Sequence, residues 1–358
     1  MLVNEDNCFL CDSLESFLHF FLNKNTEAEK RVGHLYFRGE SKYHKYIVPS
    51  LYLDEGLTKK SSEYYYRVLL SQSGNPDYDR SSDLFRSISD FQHKGAKTRI
   101  LEVSANPLIA LFFATEKYNS GSVEPGYVYV FGSHHIVDRN EINTEHFDVG
   151  HTVAAKIALN LIPQDKINEF MTTCKSIYAR TSRTDWKQLR YRDMNSLGVS
   201  SDEASPNQLK FRDIGSLALS VEEFTVIQSF MYLLNQRAKT NGELLYPFNI
   251  FEELMLAHII IPSKASDRVK MQQSAFIFPK YVYTNGKSMD DIQKEIDRSV
   301  STLTTHIITN EGKKINAIKI PGTKKELIKN QLAQIGITED FVYPEIEHKS
   351  NTLLSNMF

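Results

Sequence analysis

Cysteine is scarce in this sequence, which has only Cys8, Cys11 and Cys174. A sparse, odd set does not make a disulfide framework and suits a reducing compartment. Cys8 and Cys11 form a C-x-x-C, but a four-coordinate zinc needs two further ligands and no second pair follows, so no metal is expected and the two read as half-buried thiols ahead of an N-terminal helix. Charge of one sign is also missing: 42 basic residues stand against 44 acidic ones, a formal net charge of -2. That balance gives no global field to draw in a nucleic acid or an anionic membrane, and any such binding has to be local. No apolar run approaches the roughly 18 residues that span a bilayer, and the opening MLVNEDNCFLCDSLESF lacks the basic-then-apolar order of a secretory signal. A cytoplasmic location without membrane contact is therefore expected. There is no G-x-G-x-x-G, no G-x-x-x-x-G-K-[ST], no G-x-S-x-G and no H-E-x-x-H, which removes the common phosphate-loop, hydrolase-elbow and zinc-protease readings. A carboxylate cluster suited to magnesium is lacking too, which argues against a nuclease.

What is present is an ordinary globular composition, 41% hydrophobic and 24% charged over 358 residues, with 21 Phe and 18 Tyr beside the single Trp186. Length alone suggests roughly two domains. Helical spacing of Leu14, Phe17, Leu18, Phe21 and Leu22 predicts a first helix over 13–23. His34 to Arg38 alternates and reads as a buried strand that stops at Gly39, with Arg38 at its end. Helices are predicted at 61–70 and 84–91, a strand at 98–104, and a helix from Asn106 to 118 with Pro107 at its first position. A strong strand covers 126–132. From His134 to about Leu245 the pattern is longer and largely helical, with a polar loop near 196–216 and the best helix at 221–239. Strand signals return at 258–262, 275–279 and 315–321, with a helix at 289–303 and a last one ended by Gly336. The expected fold is α+β: a mixed sheet core with flanking helices and a helical insertion, divided as 1–133, 134–245 and 246–358.

Three clusters place polar groups where apolar runs would otherwise continue. In Phe37-Arg38-Gly39-Glu40, an Arg before a Gly offers a planar donor fork to a diphosphate or carboxylate while the Gly lets backbone approach; equally, Arg38 is a buried partner of Glu40 or Glu102. In the run from Gln92 through His93 to Pro107, alternation puts Thr98, Ile100, Glu102 and Ser104 on one face and Arg99, Leu101 and Val103 on the other. Ser104, Asn106 and the helix start then share one strand end, where free amides favour an anion; the plainer reading makes Asn106 only a cap. The third is Arg268 to Phe276, where Gln272 and Gln273 introduce an apolar strand. Side-chain amides position ligands rather than move protons.

The order YFRGES, PSL, QHKGAKTRILEVSANPLIALFFA, GYVYVF, RVKMQQSAFIF, LAQIGI and VYPEIE resembles the FRG-domain family, over about residues 13 to 350. The family's central motif is close to Gln-His-x-Gly-x-Pro-Thr-Arg-Leu-Leu-Asp-x-Thr followed by a short apolar helix. This chain differs in having Lys97 for Pro, Glu102 for Asp, Ser104 for Thr and Ser274 for the usual Gly. The resemblance implies a bacterial or phage-associated protein of toxin or defence settings. Its order of Arg strand, Ser/Thr strand and late Gln/Glu strand is similar to that of ADP-ribosyltransferases.

Two functions follow as expectations. As an enzyme, the chain would cleave NAD, its substrate rather than a resident cofactor, and transfer ADP-ribose to a nucleic acid or protein, or act as a glycohydrolase. Arg38, His93, Glu102 and Gln272 would form the catalytic set, with Glu252 or Glu253 as reserve acids. Arg38, Gly39, Thr98, Arg99, Ser104, Asn106 and Gln273 would hold the dinucleotide, and a neutralising antitoxin or chaperone is a possible partner. As a binding module, the same pocket would recognise a nucleotide, nucleic acid or protein without turnover, with Tyr36, Phe37, Tyr43 and Tyr46 near Lys42 and Lys45 stacking bases.

Overall fold

The computed structural model describes residues 7–22, 34–74, 77–116, 123–132, 149–193, 197–199, 208–211, 218–262, 266–345, 348–350 and 354. Its strands are β1 (Cys8–Leu10), β2 (Leu35–Glu40), β3 (Leu101–Ser104), β4 (Gly126–Gly132), β5 (Leu197–Val199), β6 (Gln208–Phe211), β7 (Ala218–Ser220), β8 (His258–Ile260), β9 (Ser274–Phe278), β10 (Ile307–Ile308), β11 (Lys314–Ile315) and β12 (Ala317–Ile320). Seven of them build the central sheet in the order β1-β12-β4-β2-β3-β9-β8, so strands from the two ends of the chain interleave. β1 runs parallel to β12 and every other pairing in that sheet is antiparallel, which makes it mixed, with helices on its faces: an α+β fold.

GYVYVFG forms an interior strand between β12 and β2, and all of β4 is buried: a strand covered on both faces reads as a continuous apolar run. Val128 and Val130 pack with Phe37, Ile318 and Ile320 under the Pro107–Thr115 helix, together with the Leu14–Leu22 and Lys325–Gln334 helices. Tyr127, Tyr129 and Phe131 join Tyr36, Leu101 and Val103 in the opposite core, where the Ser81–His93 and Met289–Ser301 helices contribute Ile88 and Ile292. The Pro107–Thr115 helix sits unusually close to the sheet. A Cβ added to Gly39 would lie 1.9 Å from the Ala110 carbonyl oxygen, and one added to Gly126 would lie 2.0 Å from that of Ala114.

The middle of the chain forms a second buried cluster from the Val149–Ala158, Gln164–Arg180, Arg183–Leu189, Val221–Ala238 and Pro247–Leu254 helices. Phe170 and Phe230 stack at 3.9 Å, and Trp186 meets Phe248 and Phe251 edge-on. Ser220 and Glu223 close a full capping box at the start of the 221–238 helix. The expected polar loop at 196–216 instead contains β5 and β6, which pair with each other and, through β6, with β7 just beyond it in a three-stranded antiparallel sheet.

Lys156 is buried in this layer, and its Nζ donates to the Leu256 carbonyl at 2.8 Å. Burial pushes its pKa down to about 7, against the opposing charge of Glu253. Between about pH 7 and 10 an unfolded lysine keeps a proton that the folded one has lost, so the unfolded state binds more protons and stability rises with pH. The penalty is complete below the folded value and absent above the unfolded one. Lys156→Met is expected to add about 1 kcal/mol or more at pH 7 and to flatten this rise. Urea unfolding of both proteins at pH 7 and pH 10 measures it, and a variant less stable than wild type at pH 7 would refute the burial argument.

Candidate active site

β2 and β3 meet at one ladder position, Phe37↔Ser104, and part beyond it. Across the gap Arg38 takes over from the backbone: its Nη1 donates to the Glu102 carbonyl at 2.7 Å, and its Nε to Glu40 Oε1 at 2.6 Å. β2 does not stop at Gly39, as the sequence suggested, but runs on to Glu40 against Val128 and Tyr127 of β4. The parted strands leave a cavity of about 300 Å³ lined in part by Arg38, His93, Glu102, Ser104, Arg268 and Gln272. A second, of about 310 Å³, lies alongside and shares Arg38, Glu40, Gln92 and Glu102. Their size falls in the range of small-molecule sites, about 300–1,000 Å³.

Glu102 is the chemical centre. Its side chain is 16% exposed, and its Oε1 accepts from Ser274 Oγ at 2.5 Å and lies 3.2 Å from His93 Nε2, whose ring is 7% exposed. Burial pushes the carboxyl up, but the hydrogen bond and charge of His93, the Ser274 hydroxyl and the charge of Arg268 outweigh it, holding the group below the usual carboxylate range. Glu102 is therefore ionised at neutral pH, and both described bonds fall on Oε1, away from Oε2. On another part of the wall Arg268 donates to Glu345 at 3.2 Å and lies over the Tyr343 ring at 4.6 Å. Tyr343 donates to Glu116 Oε1 at 2.6 Å, and burial raises the Glu116 pKa. The cavity thus holds an ionised carboxyl and one biased towards its neutral form.

Arg38, His93, Glu102 and Gln272 do come together, with Gly39 and Ser104 beside them. The other expected ligands of the dinucleotide do not reach the cavity. Thr98 is buried and donates to Gln92, and Arg99 is turned into the helical layer, bonding Ser62 and Gln164. Asn106 caps its helix through Leu108 N, and the cavity opens at the opposite end of that helix, at Phe113 and Glu116. An anion therefore gains nothing from the helix start, which corrects the expectation placed on Ser104 and Asn106. Ser104 instead ties loops together, donating to the Gln272 carbonyl at 2.6 Å and accepting from Asn106 N. Gln273 is exposed, at φ 49°. Gly39 serves the close approach of a helix rather than of a ligand. Glu252 and Glu253 lie elsewhere, held by Trp186 with Arg190 and by His258 with Thr152. Of the suggested stacking residues, Tyr36 is core, Phe37 is buried but also lines the first cavity, Tyr46 lines the second, and Tyr43 is exposed and lines neither. Lys45 pairs with Asp290 and covers the Tyr46 ring at 4.7 Å.

Residues 33–122 match the sequence model of the FRG domain. The chain carries an FRG domain. That stretch supplies Arg38, His93, Glu102 and Glu116, whereas Arg268, Gln272, Ser274 and Tyr343 lie beyond it. The FRG segment thus provides one side of the cavity and the C-terminal third the other. No curated protein and no solved structure matches the chain. Among the described residues no group of His, Cys, Asp and Glu is placed to hold a metal ion, and none of Cys8, Cys11 and Cys174 is in a disulfide, Cys8 being half-buried and Cys11 fully buried. Among the same residues no helix is long and apolar enough to cross a membrane.

Proposed function

We infer that the cavity takes NAD, and that the chain is an ADP-ribosyltransferase-like effector of a toxin or defence type, or an NAD glycohydrolase. The observation that carries this is Glu102, a shielded, ionised carboxylate fixed by His93 and Ser274 in a cavity whose wall also holds two guanidinium groups. Cleavage of NAD breaks the bond between the nicotinamide nitrogen and ribose C1′, the electron pair leaves with the ring nitrogen, and the sugar passes through an oxocarbenium-like state. A carboxylate already ionised and held in place stabilises that positive charge without reorganising, as in glycoside hydrolysis. The nucleophile, water or an acceptor on nucleic acid or protein, then bonds to C1′ and gives up its proton, for which the His93–Glu102 pair is the nearby base. Arg38 and Arg268 suit the diphosphate. A neutralising antitoxin would fit the same reading.

Purified protein is expected to release nicotinamide from NAD, and Arg38→Ala to weaken it by about tenfold or more, the usual worth of a charge-assisted hydrogen bond. Chromatography of the released base measures both. No release with any candidate acceptor present would remove the enzymatic reading, and full activity in Arg38→Lys would remove the guanidinium fork from it. One feature favours a second reading, a binding module without turnover: two of the Arg38 donors are already engaged, by Glu40 and the Glu102 carbonyl. Binding of NAD without nicotinamide release is its signature.

A further inference from the structure

Glu116 lines the cavity, and the NAD chemistry above gives it nothing to do. Nicotinamide leaves as a neutral ring once its bond to C1′ breaks, so no proton has to follow it. Glu116 is half-buried and stands at the C-cap of the Pro107–Thr115 helix. A helix ends in unpaired carbonyls, whose partial negative charge disfavours an ionised carboxyl beside them. Burial pushes the carboxyl up, aided by the charge of Glu339, and outweighs the Tyr343 hydroxyl and the charges of Lys329 and Arg268. Those two cations are shared with other acids, Arg268 with Glu345 at 3.2 Å and Lys329 with Glu339 at 3.9 Å. Lys325, on the same helix as Lys329, is directed at the Ser41 and Glu116 carbonyls. Tyr343 donates to Glu116 Oε1 at 2.6 Å, and its ring is fixed by stacking on His348 and by the Arg268 guanidinium, so the carboxyl is held in place. Arg268 links the two acids of the cavity, since its charge acts on both Glu102 and Glu116.

We propose that Glu116 is the proton donor to a departing base, and that with Glu102 it gives the cavity a further activity, hydrolysis of the N-glycosidic bond of purine nucleotides. Two carboxyls whose surroundings drive them apart, one ionised and one neutral, are the acid and the stabiliser of glycoside cleavage. A purine, unlike nicotinamide, leaves as an anion unless it is protonated. The bond between C1′ and N9 breaks, its electron pair goes to the purine, and Glu116 gives its proton to the ring. Water bonds to C1′ and passes a proton to the His93–Glu102 pair, from which solvent returns it to Glu116. Arg38 and Arg268 suit the phosphate. This inference rests on the proposed role of Glu102 as the charge-stabilising carboxylate. The rival is that Glu116 only anchors the C-terminal segment through Tyr343.

The test compares adenine release from adenosine 5′-monophosphate with nicotinamide release from nicotinamide mononucleotide, the same ribose 5-phosphate with a base that needs no proton. Wild type is expected to release both, and Glu116→Gln to lower kcat for adenine release about 10²-fold more than kcat for nicotinamide release. Adenine release should fall as pH rises through the Glu116 pKa. Tyr343→Phe removes a hydrogen bond that favours the ionised form, so this fall is expected to move to higher pH. No adenine release by wild type overturns the proposal and leaves the NAD reading standing. Equal losses of both activities in Glu116→Gln overturn it too, as an anchoring role predicts, and so does a pH profile that Tyr343→Phe leaves in place. Adenine release without nicotinamide release from the mononucleotide or from NAD sinks the NAD reading alone. Release of neither base removes the role of Glu102 and both readings with it.

Discussion

Replacing Glu102 by glutamine is expected to lower nicotinamide release from NAD about 10²–10³-fold, the loss typical when one preorganised charge-stabilising group is removed. Glutamine keeps the length of the side chain and an oxygen able to accept from Ser274, so the fold should hold within about 1 kcal/mol and the defect should appear in kcat rather than in folding. Aspartate, the family's usual residue here, would keep the charge but draw it back by about one C–C bond, and Glu102→Asp is expected to retain more activity than Glu102→Gln. The pH dependence carries a sign. Because the folded carboxyl titrates below its unfolded value, its contribution to stability is present above an unfolded pKa of about 4.3 and is lost as pH falls through the folded value. Initial rates from pH 4 to 8, with unfolding curves at the same pH values, separate the two effects. Release from Glu102→Gln at the wild-type rate would remove this carboxylate from the chemistry.

Gly39→Ala is expected to cost about 3 kcal/mol or more and to leave little folded protein at 37 °C. The added methyl would lie 1.9 Å from the Ala110 carbonyl oxygen, a contact with helix backbone that no rotamer change relieves. Overpacking against side chains typically costs about 1–3 kcal/mol, and here the helix itself has to move off the sheet. Gly242→Ala is the control: nothing lies within 4 Å of its added carbon, so a change within about 0.5 kcal/mol is expected. Urea midpoints of the two variants decide it. A Gly39→Ala protein as stable as wild type would mean that the Pro107–Thr115 helix is less closely seated than described.

Much of this was readable in the residues, and the failures have physical causes. GYVYVFG declares a buried strand by composition, and Gly336 at φ 86° ends the last long helix as its position suggests. Arg38, His93, Glu102 and Gln272 stand out because a polar group beside an apolar run needs a reason. Their meeting depends on the order β2-β3-β9, which no local pattern states. The strand expected to begin at Thr98 begins at Leu101, because the Thr98 N–H goes to Ser50 Oγ and its carbonyl to Leu51 N, so it has no ladder to join. Glu116 and Tyr343 escaped notice because one closes an apolar helix and the other lies far along the chain, and only their 2.6 Å contact marks them as a pair. Arg268 was visible as the first residue of the run in which Gln272 and Gln273 introduce an apolar strand, and the structure sets it on a short helix, Asp267–Met271.

The single rung between β2 and β3 has a mechanical consequence. Four strands on one side and three on the other are stitched at mid-sheet by one ladder position and one arginine, where neighbouring strands elsewhere share several. A molecule lodged in that seam acts as a strut between the two halves, so occupancy should register as slower amide exchange on both flanking strands, even where those amides never touch it.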